Sequence, residues 1–400
     1  WLSFEISNKI KISSGKVDIG QHISTTLALI CSRELGIDIN SIFVNKLNTD
    51  ITPNEGITAS SLSVPNSGTA IRSASIIFKK NFLDFAAKSL NLNIKNINLE
   101  DGVAKDPNSN ASISFWDFSK TEEFLKLSIP EIIEIEDQKN FDHSSHVETK
   151  FINSIVKGEY KFLHDLRFDD MLHARIVRPP SYFHKFLSIN KAIHKYLKDH
   201  NLKLYIKNSF IAVLGNDEFE VIKSLNRIKN SIEWEQVNKL ANDKIFNLID
   251  QNSKDSLVVK RGGEAFHENI PEIKSYNNVD HKTLTSEFNK PYLMHGSIGP
   301  SASCSFYKNG KFIIYSHSQA IYALKSILSN AFNLKEKNIT LHFMPGAGCY
   351  GHNGADDVTY EAALLSKEFE NKYVLLKWTR EDEHCWEPYG SASKNKLTAT

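Results

Sequence analysis

Cysteine is scarce and scattered. Cys31, Cys304, Cys349 and Cys385 are the four in 400 residues, and no two form a CxxC pair. That spacing offers neither a zinc framework nor an iron–sulfur site within the chain, and isolated cysteines mostly pack in cores. A charge excess is also missing. Lys plus Arg number 48 and Asp plus Glu 47, for a net charge of +1. A general nucleic-acid or membrane-surface binder would carry a clear basic excess. No apolar run approaches the ~20 residues of a membrane span. Residue 1 is Trp rather than Met, and strand-like alternation begins at once. The chain therefore reads as a fragment or processed product, which leaves room for a lost targeting peptide. What is present is ordinary for a soluble globular protein that buries a core: 41% hydrophobic and 24% charged residues. The length suits two or three domains of ~150 residues each.

Glycine, thin elsewhere, is dense at one place. Gly346, Gly348, Gly351 and Gly354 fall within nine residues of the stretch ITLHFMPGAGCYGHNGADD, Ile339–Asp357. The pattern predicts a buried strand, a glycine turn and the acidic start of a helix. Glycine clusters where backbone must take positive φ or where another molecule lies against the main chain. Bare N–H groups at such a turn favour an anionic group. A strand over Tyr373–Trp378 then closes a β-α-β unit, with the turn at the ligand-binding end of its first strand.

The same plan occurs near the start. Alternation at Leu2, Phe4, Ile6, Ile10 and Ile12 predicts a hairpin around Ser7-Asn8-Lys9. Gly20-Gln21 precedes a helix carrying Ile23, Leu27, Ile30 and Leu35, which Gly36 stops. A strand begins at Ile42, and Thr52–Gly68 is a Thr/Ser/Gly-rich loop with Thr58, Ser60 and Ser61 as candidate anion contacts. Near the other end, a hairpin across Asn309-Gly310 leads to Gln319, a helix over Ala320–Asn333, and the strand beginning at Ile339. We read these as two copies of one unit, each ending in a ligand-facing loop. Between them, Gly158–Leu166, Leu172–Val177 and Leu204–Val213 read as strands and Asp217–Ile232 as an amphipathic helix. His143 and His146 in HSSH fit solvated histidines better than a metal site.

The segments GQHISTTLALICSRELGIDINSIFV and TPNEGITASSLSVPNSGTAIRSA, KGEYKFLHDLRFDDMLHARIVRPPSY, PGAGCYGHNGADD and WTREDEHCWEPYG resemble the molybdenum-cofactor subunit of the xanthine dehydrogenase and aldehyde oxidase family. The isoquinoline or nicotinate oxidoreductase branch is most similar. The resemblance implies a mixed α/β and α+β fold. It divides the chain into a molybdopterin-binding segment and connector at 1–150, an α/β hammerhead domain at 151–240, a linker at 241–290 and a Gly-loop molybdopterin-binding domain at 291–400. It implies hydroxylation of an aldehyde or N-heterocycle with water as oxygen source. The cofactor is molybdopterin, in its simple or cytosine dinucleotide form.

On that resemblance Gln21, Ser60 and Ser61 contact the pterin or its phosphate, and Gly346, Gly348, Cys349, Tyr350 and Gly351 form the wall beside the metal. Gln319 is a lesser candidate, and no residue ligates the metal directly. The family's catalytic glutamate is expected beyond residue 400, since Gly263-Glu264 stands in the wrong context. Expected partners are a small [2Fe–2S] subunit and a cytochrome or flavin acceptor, with no nucleic acid and no transmembrane segment. The location is periplasmic or cytoplasmic, with a lean to the periplasm. Two other readings stay open. GAGCYG, Gly346–Gly351, fits a dinucleotide fingerprint of an NAD(P)-dependent dehydrogenase. The chain also fits a non-catalytic half-subunit that only binds cofactor.

Overall fold

In the computed structural model, residues 1–5, 8–127, 147–238, 245–252, 258–259, 265–266, 282–351 and 356–399 are described. Ile6-Ser7, His143–His146, Gly263-Glu264 and Gly354 lie outside them.

Two sheets organise the chain. A small one pairs Leu2–Glu5 antiparallel with Lys9–Ile12, which runs parallel to Ile42–Val44. A seven-stranded one runs in the order Ile339–Phe343, Lys311–Ser316, Ala302–Lys308, Tyr373–Lys377, Leu172–Ile176, Phe210–Gly215, Lys203–Lys207. Strands from the 151–240 stretch and from the 291–400 stretch thus share one hydrogen-bonded sheet, joined where Tyr373–Lys377 runs parallel to Leu172–Ile176. Burial of every residue in Leu172–Ile176 is what a central strand requires. Helices Ile321–Phe332 and Asp357–Glu368 cover one face through Ile314, Leu341, Val374 and Leu376. Helices Ile193–Asp199 and Glu218–Lys229 cover the other face at the far end, through Ile211 and Val213.

The repeat is real in three dimensions. In each copy a hairpin is followed by a helix, a 3₁₀ turn and a strand parallel to the hairpin's second strand. The helices Ile23–Leu35 and Ile321–Phe332 both end in a left-handed residue, Gly36 at φ 69° and Asn333 at φ 52°. Each end is tied by a serine hydroxyl five residues upstream of the carbonyl it reaches: Ser32 to Ile37 at 2.6 Å and Ser329 to Leu334 at 2.5 Å. In the first copy the helix packs with Thr69–Leu90 around Phe78, Phe82, Phe115 and Phe118. Edge-to-face contacts such as Phe82–Phe115, at 4.6 Å, order that core.

Several expectations are corrected here. Gly158–Leu166 is not a strand but a loop with a 3₁₀ turn at Leu163–Asp165. Leu204–Val213 is two strands, because Asn208 turns the chain with φ 54°. The 241–290 stretch ends in a strand, Leu284–Lys290, paired along its length with Ser393–Ala399.

Candidate functional site

The two copies meet edge to edge. The chain leaving Ile42–Val44 lies antiparallel to Ile339–Phe343: Phe343 N–H donates to Leu47 O at 3.0 Å, and Thr49 N–H to Leu341 O at 3.0 Å. The loop that follows the first segment turns back to the start of helix Ile321–Phe332, where Thr58 N–H donates to Gln319 O at 3.1 Å.

That loop is built, not free. Glu55 anchors it by accepting from Trp1 Nε1, Ser14 Oγ, Gly15 N–H and Ser67 Oγ at 2.6–2.9 Å. Burial acts to raise the Glu55 carboxyl, but these four donors outweigh it and hold it below the usual range. Buried Lys16 ties down the carbonyls of Glu55 and Ile57. A string of hydrogen bonds then crosses between copies. Val17 N–H donates to Thr58 Oγ1 at 3.0 Å, Gln319 Nε2 to Thr58 O at 2.8 Å, and Cys349 Sγ–H to Gln319 Oε1 at 3.5 Å.

Between the Gly20 turn and the Gly346–Tyr350 turn lies a cavity of about 380 Å³. Gly20 and His22 line one side and Gly346, Ala347, Gly348 and Tyr350 the other. Phe151, Tyr160, Phe162, Ile298 and Pro345 contribute apolar wall, and Asp18 a carboxylate. Gly348, at φ 129°, cannot be replaced without strain: a Cβ there would lie 2.9 Å from the Tyr350 hydroxyl, so the tyrosine folds over bare backbone. Ser297 Oγ and Gly299 N–H hold the turn from outside through Gly348 O and Ala347 O.

The sequence candidates distribute as follows. Gly346, Gly348 and Tyr350 line the cavity. The Gln21 side chain does not face it: its amide donates to Val17 O at 2.9 Å and accepts from Ile19 N–H at 2.7 Å, stiffening its own turn. Ser60 and Ser61 stand exposed in left-handed conformations outside the lining, and Thr58 is spent on Val17. Cys349 reaches Gln319 rather than the cavity, and burial pushes its thiol up although the Gly351 N–H opposes this, so it is no ready thiolate. Gly351 takes φ 96° beside His295. Gln319, ranked below Gln21 on the sequence, is the residue that joins both loops. Asp18, Tyr160 and Glu55 were missed. Asp18 sits two residues before Gly20 in the segment already singled out, and a lone acid in a hydroxyl-rich loop marks Glu55.

The dinucleotide fingerprint fails on geometry. Its phosphate site needs glycines directly at a helix N-terminus, whereas residues 344–356 separate Phe343 from the helix at Asp357–Glu368.

Residues 1–153 match the family model described as a molybdopterin cofactor-binding domain. In that segment and across its length the chain is similar to molybdopterin-binding subunits of the xanthine dehydrogenase family. It is 28% identical over 398 residues to a nicotinate dehydrogenase subunit of Pseudomonas putida, covering 95% of this chain and 32% of that protein. It is 22% identical over 421 residues to the membrane-bound aldehyde dehydrogenase (pyrroloquinoline-quinone) of Gluconacetobacter polyoxogenes, covering 99% of this chain and 52% of that one. The chain thus spans about a third to a half of these relatives' lengths. Quinoline 2-oxidoreductase from Pseudomonas putida 86 superposes with a TM-score of 0.47 at 12% identity, over 62% of this chain and 36% of that chain.

Molybdopterin combines a flat ring system with a phosphate, and the cavity suits the two parts unequally. Aromatic and glycine walls suit a flat ring. Among the described residues no lysine or arginine lines it, so a phosphate would depend on backbone N–H groups.

Proposed function

We propose that this chain forms the cofactor cradle of a molybdenum-dependent oxidoreductase acting on an aldehyde or an N-heterocycle. The observation that carries this is the shared cavity: two turns, one from each copy of the repeat, close on one hollow. When bound, the cofactor supplies two-electron oxidation of an electron-poor carbon with water as oxygen source. The chain's own residues position it. Gly20, Gly346 and Gly348 present backbone, Phe151 and Phe162 supply apolar wall, and Gln319 locks the loops in register.

Electrons would pass to a small [2Fe–2S] subunit and on to a cytochrome or flavin.

Metal analysis of the purified complex tests this reading. Molybdenum is expected near one per chain. Gln319→Ala is expected to lower it about tenfold by unlinking the loops, on the scale of lost buried hydrogen bonds, with a smaller loss for Gln21→Ala. A complex without molybdenum that binds NAD would overturn the proposal, and molybdenum without turnover would favour a non-catalytic cofactor-binding role.

A further inference from the structure

Two acids share one face of the short helix Arg380–Trp386 and its cap, an arrangement with an electrostatic cost. Glu383 and Glu387 are four residues apart, so like charges are neighbours, and Glu387 caps the negative end of the helix. Glu383 is completely buried and Glu387 is 5% exposed. Glu383 Oε1 accepts the Ser301 N–H, and Glu387 Oε1 accepts the His295 N–H at 2.6 Å. The two carboxyls lie within hydrogen-bonding reach of each other. On each, Oε2 is shielded from solvent and has no partner among the described residues.

An ionised carboxylate can only accept. Two of them would leave both Oε2 atoms unsatisfied and set like charges together in a poorly screened interior. One proton removes both costs. It turns one Oε2 into a donor to the other, in a short, charge-assisted O–H···O⁻ bond. Among the described residues no lysine or arginine forms an ion pair with either acid. Arg380, on the same helix, donates to Ile298 O at 2.6 Å, and Asp382 turns to Thr379 and Arg178. The titratable groups that face the pair are His295, with Nδ1 3.5 Å from Glu387 Oε1, and Tyr389, whose phenol is held up by burial and then by the Glu387 charge.

The backbone held by the pair is a strap against the glycine turn. Between His295 and Ser301, Ser297 Oγ reaches Gly348 O at 3.4 Å and Gly299 N–H reaches Ala347 O at 3.3 Å. Both bonds are long, so they depend on how firmly the strap is pressed on the turn. The approach is close: a Cβ on Gly299 would lie 2.6 Å from that of Ala347. We infer that Glu383 and Glu387 share one proton and act as a positioning pair, whose acid–carboxylate hydrogen bond clamps the two ends of the His295–Ser301 strap against the Gly346–Tyr350 turn. Loss of that proton leaves two repelling anions and releases the strap. The inference holds whatever the cavity binds.

Infrared spectra and hydrogen exchange of the purified protein, taken from mildly acid to mildly alkaline pH, test it. The wild type is expected to show the carbonyl band of a protonated carboxylic acid at the acid end and to lose it as pH rises. Protection of the His295, Gly299 and Ser301 amides, corrected for the intrinsic pH dependence of exchange, is expected to fall about tenfold over the same span, the scale of one charge-assisted hydrogen bond. Glu383→Gln keeps a donor to Glu387 that does not titrate. It is expected to lack that band and to hold the strap's protection level across the pH range. Glu387→Gln reverses the roles and is expected to behave alike, so either variant decides the matter if the other fails to fold. A band that survives in the folded variants, or strap protection that follows the wild-type pH course in them, would overturn the inference.

Discussion

Glu383 and Glu387 point inward from the short helix Arg380–Trp386 and its C-terminal cap, and both are almost fully buried. Glu383 accepts the Ser301 N–H and Glu387 the His295 N–H. Burial raises the Glu383 carboxyl, and Glu387 beside it raises it further, because two adjacent buried carboxylates resist both ionising. A raised carboxyl favours the folded state at low pH, where it stays protonated. That contribution is lost as pH climbs past the ordinary carboxylate range and through the raised value. The wild-type chain should therefore lose stability at Glu383 as pH rises above the ordinary carboxylate range, and Glu383→Gln should flatten the slope. Urea midpoints followed from acid to neutral pH decide it; equal slopes would show that Glu383 does not titrate in that range. Glu218 runs the other way. Burial alone would raise it, but hydrogen bonds from Arg175 and Lys377 bring it down to about 2.

At the scale of elements, the repeat rests on its helix stops. Gly36 and Asn333 occupy equivalent left-handed positions that a Cβ disfavours, except where asparagine's short polar side chain eases the turn. Gly36→Ala should cost about 1 kcal/mol in chemical denaturation, and Asn333→Gly should be neutral or slightly stabilising. A neutral Gly36→Ala would mean that the Ser32 hydroxyl carries the stop alone. Elements of this kind were legible in the sequence: both helices, the hairpin at Asn309-Gly310 and the strand before the glycine turn stand where periodicity and turn residues predict. Strand breaks made by one asparagine, as at Asn208, were not, because apolar character runs through both flanking strands.

For the molecule as a whole, the seam between the copies decides whether a site exists. Leu47 is buried in the core formed by Phe312, Ile314, Leu341 and Phe343, so the chain after the first sheet is packed into the second. Leu47→Asp should place an unpaired charge there and cost on the order of 3 kcal/mol or more. The expected result is faster proteolysis in the 52–62 loop while the Phe78–Phe118 core stays protected. Cleavage spread evenly over both regions would refute a seam that opens on its own.

Local pattern by itself determined the two repeated hairpin–helix–strand units and the glycine turn, because backbone conformation there follows from neighbours in sequence. It also paired the two copies, since both repeat one spacing. Which side chains face the hollow was decided only by tertiary structure. Gln21 turned back to its own loop while Gln319 and Asp18 took the inter-copy positions, because donors and acceptors brought together across hundreds of residues compete for partners that no local window contains.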